Sequence, residues 1–196
     1  MTADTPLDIA ILVFDGVEAA DYVCPMTVFE KTNDYIEPKN TIRLISPDGT
    51  TVVASNGTLV GPTVALGEAG DIDILIVPGG TGVIAAIADD RPVGFIRERY
   101  GDPRLRHILS VCSGAYLLAQ AGMLDGKEAT VTDRLKDDFR RRYPKVSVVD
   151  GSPVVADGGR VVTSGQIFMG IGAAYWLVER LYGDKVLREV RERLGI

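Results

Sequence analysis

The segment His107-Ile-Leu-Ser-Val-Cys112-Ser-Gly-Ala-Tyr-Leu-Leu-Ala-Gln-Ala-Gly122 decides the fold. An apolar run enters Cys-Ser-Gly and a helix-forming run leaves it, which reads as a strand, a sharp turn and a helix with the cysteine at the corner. In hydrolases Gly-x-Ser-x-Gly builds such a nucleophile elbow, and here Val-Cys-Ser-Gly-Ala takes its place. A thiol at that corner stands at the end of a sheet and faces a helix N-terminus. The unpaired N–H groups and the dipole there favour an anion, so a thiolate is expected. The alternative is a buried cysteine acting as a small hydrophobe. Elbow nucleophiles are held in sparsely populated backbone space, so strain at Cys112 is the feature to look for.

On either side, strands and helices alternate. Residues 8–14 form an apolar run expected as a strand buried on both faces, the pattern of a central parallel strand. A helix is expected over 21–33, with Pro25 tolerable only in its first turn. Strands follow at 41–46 and 72–77, with a hairpin of 52–54 and 58–60 turned by Ser55-Asn56-Gly57. Helices are expected at 83–88 and 92–100. After the elbow come weaker strands at 129–132, 146–149, 154–156 and 161–163, and helices at 135–142, 166–181 and 184–194. This order predicts an α/β fold, a mostly parallel sheet with helices on both faces, in a single domain over 1–196.

Composition narrows the function. With 27 acidic and 21 basic residues the chain carries a net charge of -6, which argues against a nucleic-acid partner. Arg140-Arg141-Arg142 follows two aspartates in a helical segment and reads as a solvated face. Two cysteines make no disulfide framework; Cys24 is expected in the core and the protein in the cytoplasm. The residues before Asp8 are short and polar, unlike a leader. No apolar run is long enough to span a membrane. One histidine and two cysteines without paired spacing predict no metal site, and no cofactor is expected.

In such a sheet ligands bind at the carboxyl ends of the strands. Three features fall at that edge: the segment from Asp15 to Asp21, the loop Pro78-Gly79-Gly80-Thr81-Gly82, and Cys112. The loop lacks a lysine and does not match Gly-x-Gly-x-x-Gly, so it makes a poor phosphate cradle. It reads instead as a source of backbone donors, Gly79, Gly80 and Thr81 joining the N–H of Ser113 to stabilise developing negative charge. A tight turn needing positive φ is the plainer reading. Asp21 likewise reads either as the cap of its helix or as an acid that reaches the elbow across the sheet edge.

These residues carry a family resemblance. Leu12-Val-Phe-Asp-Gly-Val-Glu-Ala-Ala-Asp21-Tyr-Val-Cys-Pro25, Ile76-Val-Pro-Gly-Gly-Thr-Gly82 and Ser110-Val-Cys-Ser-Gly-Ala115 resemble motifs of the ThiJ/PfpI superfamily. So do Ala121-Gly-Met-Leu-Asp-Gly-Lys-Glu-Ala-Thr130 and Val162-Thr-Ser-Gly-Gln-Ile-Phe-Met-Gly-Ile171. The likeness is greatest to the isocyanide hydratase branch and to the amidotransferase-like domains of AraC-type regulators. It implies a flavodoxin-like, class I amidotransferase-like sandwich that acts on a small molecule as a homodimer. It also implies that Cys112 is the nucleophile and that Asp21 contacts its sulfur. Held against a thiolate in a partly dry pocket, that carboxyl is expected to have a raised pKa and to move protons.

Two departures stand out. Gln166-Ile167 occupies a place where hydratases tend to have Ile-Asp, and Thr130-Val-Thr-Asp133-Arg134 replaces a run in which many relatives carry a histidine. Asp133 then reads as a polar substitute at the site or as a solvated loop carboxylate. The only histidine, His107, is expected at the surface or edge, at the far end of the strand leading to Cys112. A Cys-His-Asp triad is thus not expected, which weakens protease and glutamine amidotransferase readings. What remains is a pair of Cys112 and Asp21, which the resemblance implies is what the isocyanide hydratase type uses. The alternatives are a non-catalytic redox, stress-response or ligand-sensing module, and a glyoxalase-like enzyme. Tyr22, Met26 and Phe29 recur at helical spacing as either a dimer contact or a core face.

Overall fold

Ile9, Ala10, Ile11 and Leu12 are completely buried, and so are all four residues of the run Ile74–Val77. Strands this apolar on both faces need cover above and below, and the chain supplies it with two helical layers. The computed structural model describes residues 6–61, 63–166 and 168–195. Residues 1–5, most of the segment read as unlike a leader, and Ile167, within the helix expected at 166–181, lie outside the described residues.

The first half contributes β1 (Asp8–Leu12), α1 (Ala19–Thr32), β2 (Thr41–Ser46), β3 (Val52–Val53), β4 (Leu59–Val60), β5 (Val64–Ala65) and β6 (Ile74–Val77). Then come α2 (Val83–Asp89), α3 (Arg91–Gly101), β7 (His107–Val111), α4 (Ala115–Gln120), β8 (Glu128–Ala129) and α5 (Lys136–Arg142). The chain closes with β9 (Ser147–Val148), β10 (Val154–Asp157), β11 (Val161–Ser164), α6 (Met169–Tyr182) and α7 (Asp184–Leu194). The main sheet has seven strands in the order β10-β11-β7-β6-β1-β2-β5, and all its pairings are parallel except β10 with β11 at one edge. Helices α1, α6 and α7 pack together on one side of it, and α2, α3 and α4 on the other.

The α/β sandwich and the hairpin β3–β4 match the expectations, and three details differ. The strands expected at 129–132 and 146–149 shrink to β8 and β9, which pair with each other outside the main sheet. β5, too short to leave a pattern, adds an unexpected edge strand. Helix α1 starts at Ala19, so Pro25 lies in its interior rather than its first turn. Proline has no N–H to bond the carbonyl one turn back, at a cost of about 3 kcal/mol in a helix interior. Packing offsets it: the Pro25 ring lies against Gly170, where a side chain on that glycine would come within 3.4 Å of Pro25 Cδ. Tyr22 and Phe29 are buried and Met26 partly so, making this stripe a core face.

Candidate functional site

β6 and β7 run parallel, with Ile74 beside His107 at one end and Val77 beside Ser110 at the other. The chain therefore delivers Pro78-Gly79-Gly80 and Cys112-Ser113 to the same edge, side by side. Cys112 has φ 55, a left-handed conformation that is strained for a residue with a side chain. Behind it a 3-10 turn, Cys112–Gly114, runs into α4. Gly114 is required at this corner, since a Cβ there would stand 2.1 Å from the Val77 carbonyl oxygen.

Asp21 lies in the first turn of α1 and is 0% exposed. It does not cap the helix. Its Oδ2 accepts the Gly79 N–H at 2.9 Å, and its buried Oδ1 has no hydrogen-bond partner among the described residues. Burial holds this carboxyl up at about 7, and the nearby Glu18 charge pushes the same way; the Gly79 N–H and the Cys112 thiol pull it down. Cys112, 6% exposed, faces the same carboxyl. The expectation of a thiol lowered by the helix terminus is not met. Burial, and then the charge of Asp21, push the Cys112 thiol up, against weaker opposing pulls from Ser113 and the Arg134 charge. Two adjacent acids, both disfavoured as anions, are coupled, the carboxyl giving up its proton before the thiol.

The glycine loop serves this pair in a way the sequence left open. The Gly79 N–H is committed to Asp21, and the Gly80 N–H donates to Ser113 Oγ at 3.0 Å. Only Gly80 of this loop has positive φ, 133°. A Cβ on Gly79 would meet Ser113 Oγ at 2.5 Å and Asp21 Oδ2 at 3.0 Å. One on Gly82 would lie 1.8 Å from the Asp15 carbonyl oxygen. The close approach that glycine permits here is thus to the protein's own acid and elbow.

Beside the pair opens a cleft of about 360 Å³, floored by Gly80, Thr81 and Ser113 and walled by Ile84, Tyr116 and Leu135. Arg134, Asp138 and Arg142 stand around it, so Asp138 and Arg142, expected only as part of a solvated face, also line the cleft. Arg134 was legible as the cation in the segment replacing the relatives' histidine run; Tyr116 and Asp138 left no such signal. Asp133 turns elsewhere, with Lys136 Nζ at 2.8 Å and Gln166 Nε2 donating at 3.1 Å. Lys136 and Gln166 hold its carboxyl below the usual range.

His107 is at the opposite end of β7, as expected, but is 8% exposed rather than on the surface. Its Nδ1 lies 2.8 Å from the Gly159 carbonyl oxygen, and burial lowers its pKa from 6.5. Cys24 also differs from expectation: it is half-buried on α1 beside the exposed Val23, and not part of the core. Among the described residues no group of three or more His, Cys, Asp or Glu side chains is placed to hold a metal, and no helix is long and apolar enough to cross a membrane.

An α/β sandwich with a strained cysteine at the end of a central strand, faced by a buried acid, defines a class of cysteine-elbow proteins. The chain belongs to the DJ-1/PfpI family, which residues 8–174 match. It is 30% identical over 188 residues to an isonitrile hydratase of Pseudomonas putida, spanning 96% of this chain and 78% of that protein. It is 28% identical over 158 residues to the helix-turn-helix transcriptional regulator CdhR of Pseudomonas aeruginosa, 78% of this chain but 46% of the regulator. Among solved structures, a ThiJ/PfpI family protein from Pseudomonas syringae superposes with a TM-score of 0.86 at 25% identity, over 97% of this chain and 75% of that one.

Proposed function

We propose that the protein hydrates isocyanides to N-substituted formamides, with Cys112 as nucleophile and Asp21 as proton carrier. The observation that carries this reading is a fully buried carboxyl, held near 7, against the strained Cys112, with the only histidine at the far end of the strand. A pair without an imidazole suits a substrate whose own carbon takes up both nucleophile and proton. The Asp21 carboxylate first takes the Cys112 thiol proton; the thiolate so formed makes an S–C bond to the terminal isocyanide carbon while the Asp21 carboxylic acid protonates that carbon, giving a thioimidate. Water then adds across the C=N bond, its hydroxyl to carbon and, through the Asp21 carboxylate, its proton to nitrogen. The new hydroxyl returns a proton to Asp21, the C–S bond breaks, and the formamide leaves with Cys112 again a thiolate. Gly80, Thr81 and Ser113 floor the space where the side group would lie, and Gly79 holds the acid in place. No cofactor enters these steps. Two free thiols fit a reducing compartment such as the cytoplasm.

The test is turnover by purified protein of a panel of alkyl and aryl isocyanides beside methylglyoxal. Formamide formation that Cys112→Ala abolishes is the expected result; consumption of methylglyoxal alone would replace the reading by a glyoxalase-like one. The similarity to CdhR favours a second reading, in which the same cleft senses a ligand without turnover. Saturable binding of an isocyanide with no formamide produced would select it. Oxidation of Cys112 to a sulfinic acid by dilute peroxide, with neither substrate bound, would select a redox role.

A further inference from the structure

The charges around the reactive cleft are unevenly paired. Asp138 Oδ2 accepts the Tyr116 hydroxyl at 3.0 Å and meets Arg142 Nε at 2.7 Å, while its Oδ1 accepts from Arg141 at 3.1 Å. Arg142 thus shares the one carboxylate of Asp138 with Arg141. Arg134, on the same cleft, is engaged by no hydrogen bond or ion pair among the described residues. A chain with six more acids than bases thus leaves an unpaired guanidinium on the lining of the cleft beside its elbow. Its backbone lies in the 3-10 turn Asp133–Leu135, which Lys136 and Gln166 hold through Asp133. The same cleft has apolar lining in Val83, Ile84 and Leu135 and reaches the elbow at Ser113.

We propose that Arg134 makes this cleft selective for small electrophiles that carry a carboxylate, the electrophilic carbon at Cys112 and the anion on the guanidinium. The inference rests on reading Cys112 as the attacking group in this cleft. A planar, permanently charged fork suits a carboxylate, with which it forms paired hydrogen bonds. The charge of Arg134 also reaches Cys112, where it favours the thiolate.

Iodoacetate and iodoacetamide test this without relying on isocyanide turnover. In both, the Cys112 thiolate forms the S–C bond and iodide departs, so the thiolate fraction cancels in the ratio of the two rates. At pH 8 and low salt, that ratio at Cys112, followed by mass spectrometry, is expected to be about five-fold higher in wild type than in Arg134→Gln, the scale an exposed ion pair supplies. Arg134→Lys should fall between them, and 1 M salt should erase most of the difference. An equal ratio in wild type and Arg134→Gln overturns the proposal. Isocyanoacetate and its methyl ester supply the second arm, in which kcat/KM should shift the same way. Should neither isocyanide turn over while the alkylation ratio responds to Arg134, the hydratase reading fails and the anion selectivity stands. Should both turn over with no response to Arg134→Gln, the hydratase reading stands and the anion selectivity fails.

Discussion

Asp21 is completely buried with a single backbone N–H, that of Gly79, bonded to its carboxylate, and this burial makes it a proton carrier rather than a fixed anion. Raising a carboxyl from 3.8 to about 7 means that the fold disfavours the charged form by roughly 4 kcal/mol. The sign follows from linkage. Between about 4 and 7 the unfolded chain has lost this proton and the folded chain keeps it, so this contribution to stability is complete below about 4 and falls as pH rises to 7. Asp21→Asn retains an oxygen for the Gly79 N–H and removes the titration. In urea denaturation it is expected to exceed wild type by a few kcal/mol at pH 8 and to differ little at pH 4; a variant no more stable than wild type at pH 8 would count against the raised pKa. The same substitution deletes the charge that pushes the Cys112 thiol up. Iodoacetamide should therefore label Cys112 faster at pH 7 in Asp21→Asn than in wild type, even as turnover falls. Slower labelling would mean that Asp21 activates the thiol by some other route.

The elbow and the glycine loop meet only because β6 and β7 are neighbours in register, and their fit is tight. Gly79→Ala would drive a Cβ into Ser113 and Asp21, and is expected to cost about 1–3 kcal/mol as overpacked sites do, with most of the activity lost. Gly67, in the short turn Leu66–Glu68, has nothing within 4 Å of its Cβ position and no positive φ. Gly67→Ala should be neutral or stabilise by about 0.5 kcal/mol. Equal losses in the two variants, measured by thermal denaturation, would contradict the packing argument. This contrast also marks how far the sequence can be read. The strand-elbow-helix was legible because an apolar run, Cys-Ser-Gly and helix formers follow one another locally. The glycine loop was legible as unusual, yet its partner is Asp21, 58 residues away. No spacing rule says that two loops will press together. The early start of α1 was hidden because Glu18, its first flanking residue, makes no side-chain cap bond.

Across the whole molecule, the alternation of strands and helices disclosed the sandwich, whereas the strand order, the antiparallel edge and β5 depend on pairings that leave no local trace. The cleft was equally hidden, being assembled from α2, the elbow and the residues around α5. A homodimer is expected at micromolar concentration. The stripe Tyr22, Met26 and Phe29 is spent on the core, which leaves the contact of the proposed dimer to another surface. Sedimentation as a 21.0 kDa species would contradict the dimer. The central claim is that Cys112 works with Asp21 and without histidine. It is tested most directly by measuring formamide production from an alkyl isocyanide by wild type, Cys112→Ala, Asp21→Asn and His107→Ala, each checked for folding. The account predicts no turnover for Cys112→Ala, a loss of roughly 10²- to 10⁴-fold for Asp21→Asn, and activity close to wild type for His107→Ala. An inactive His107→Ala beside a fully active Asp21→Asn would contradict it.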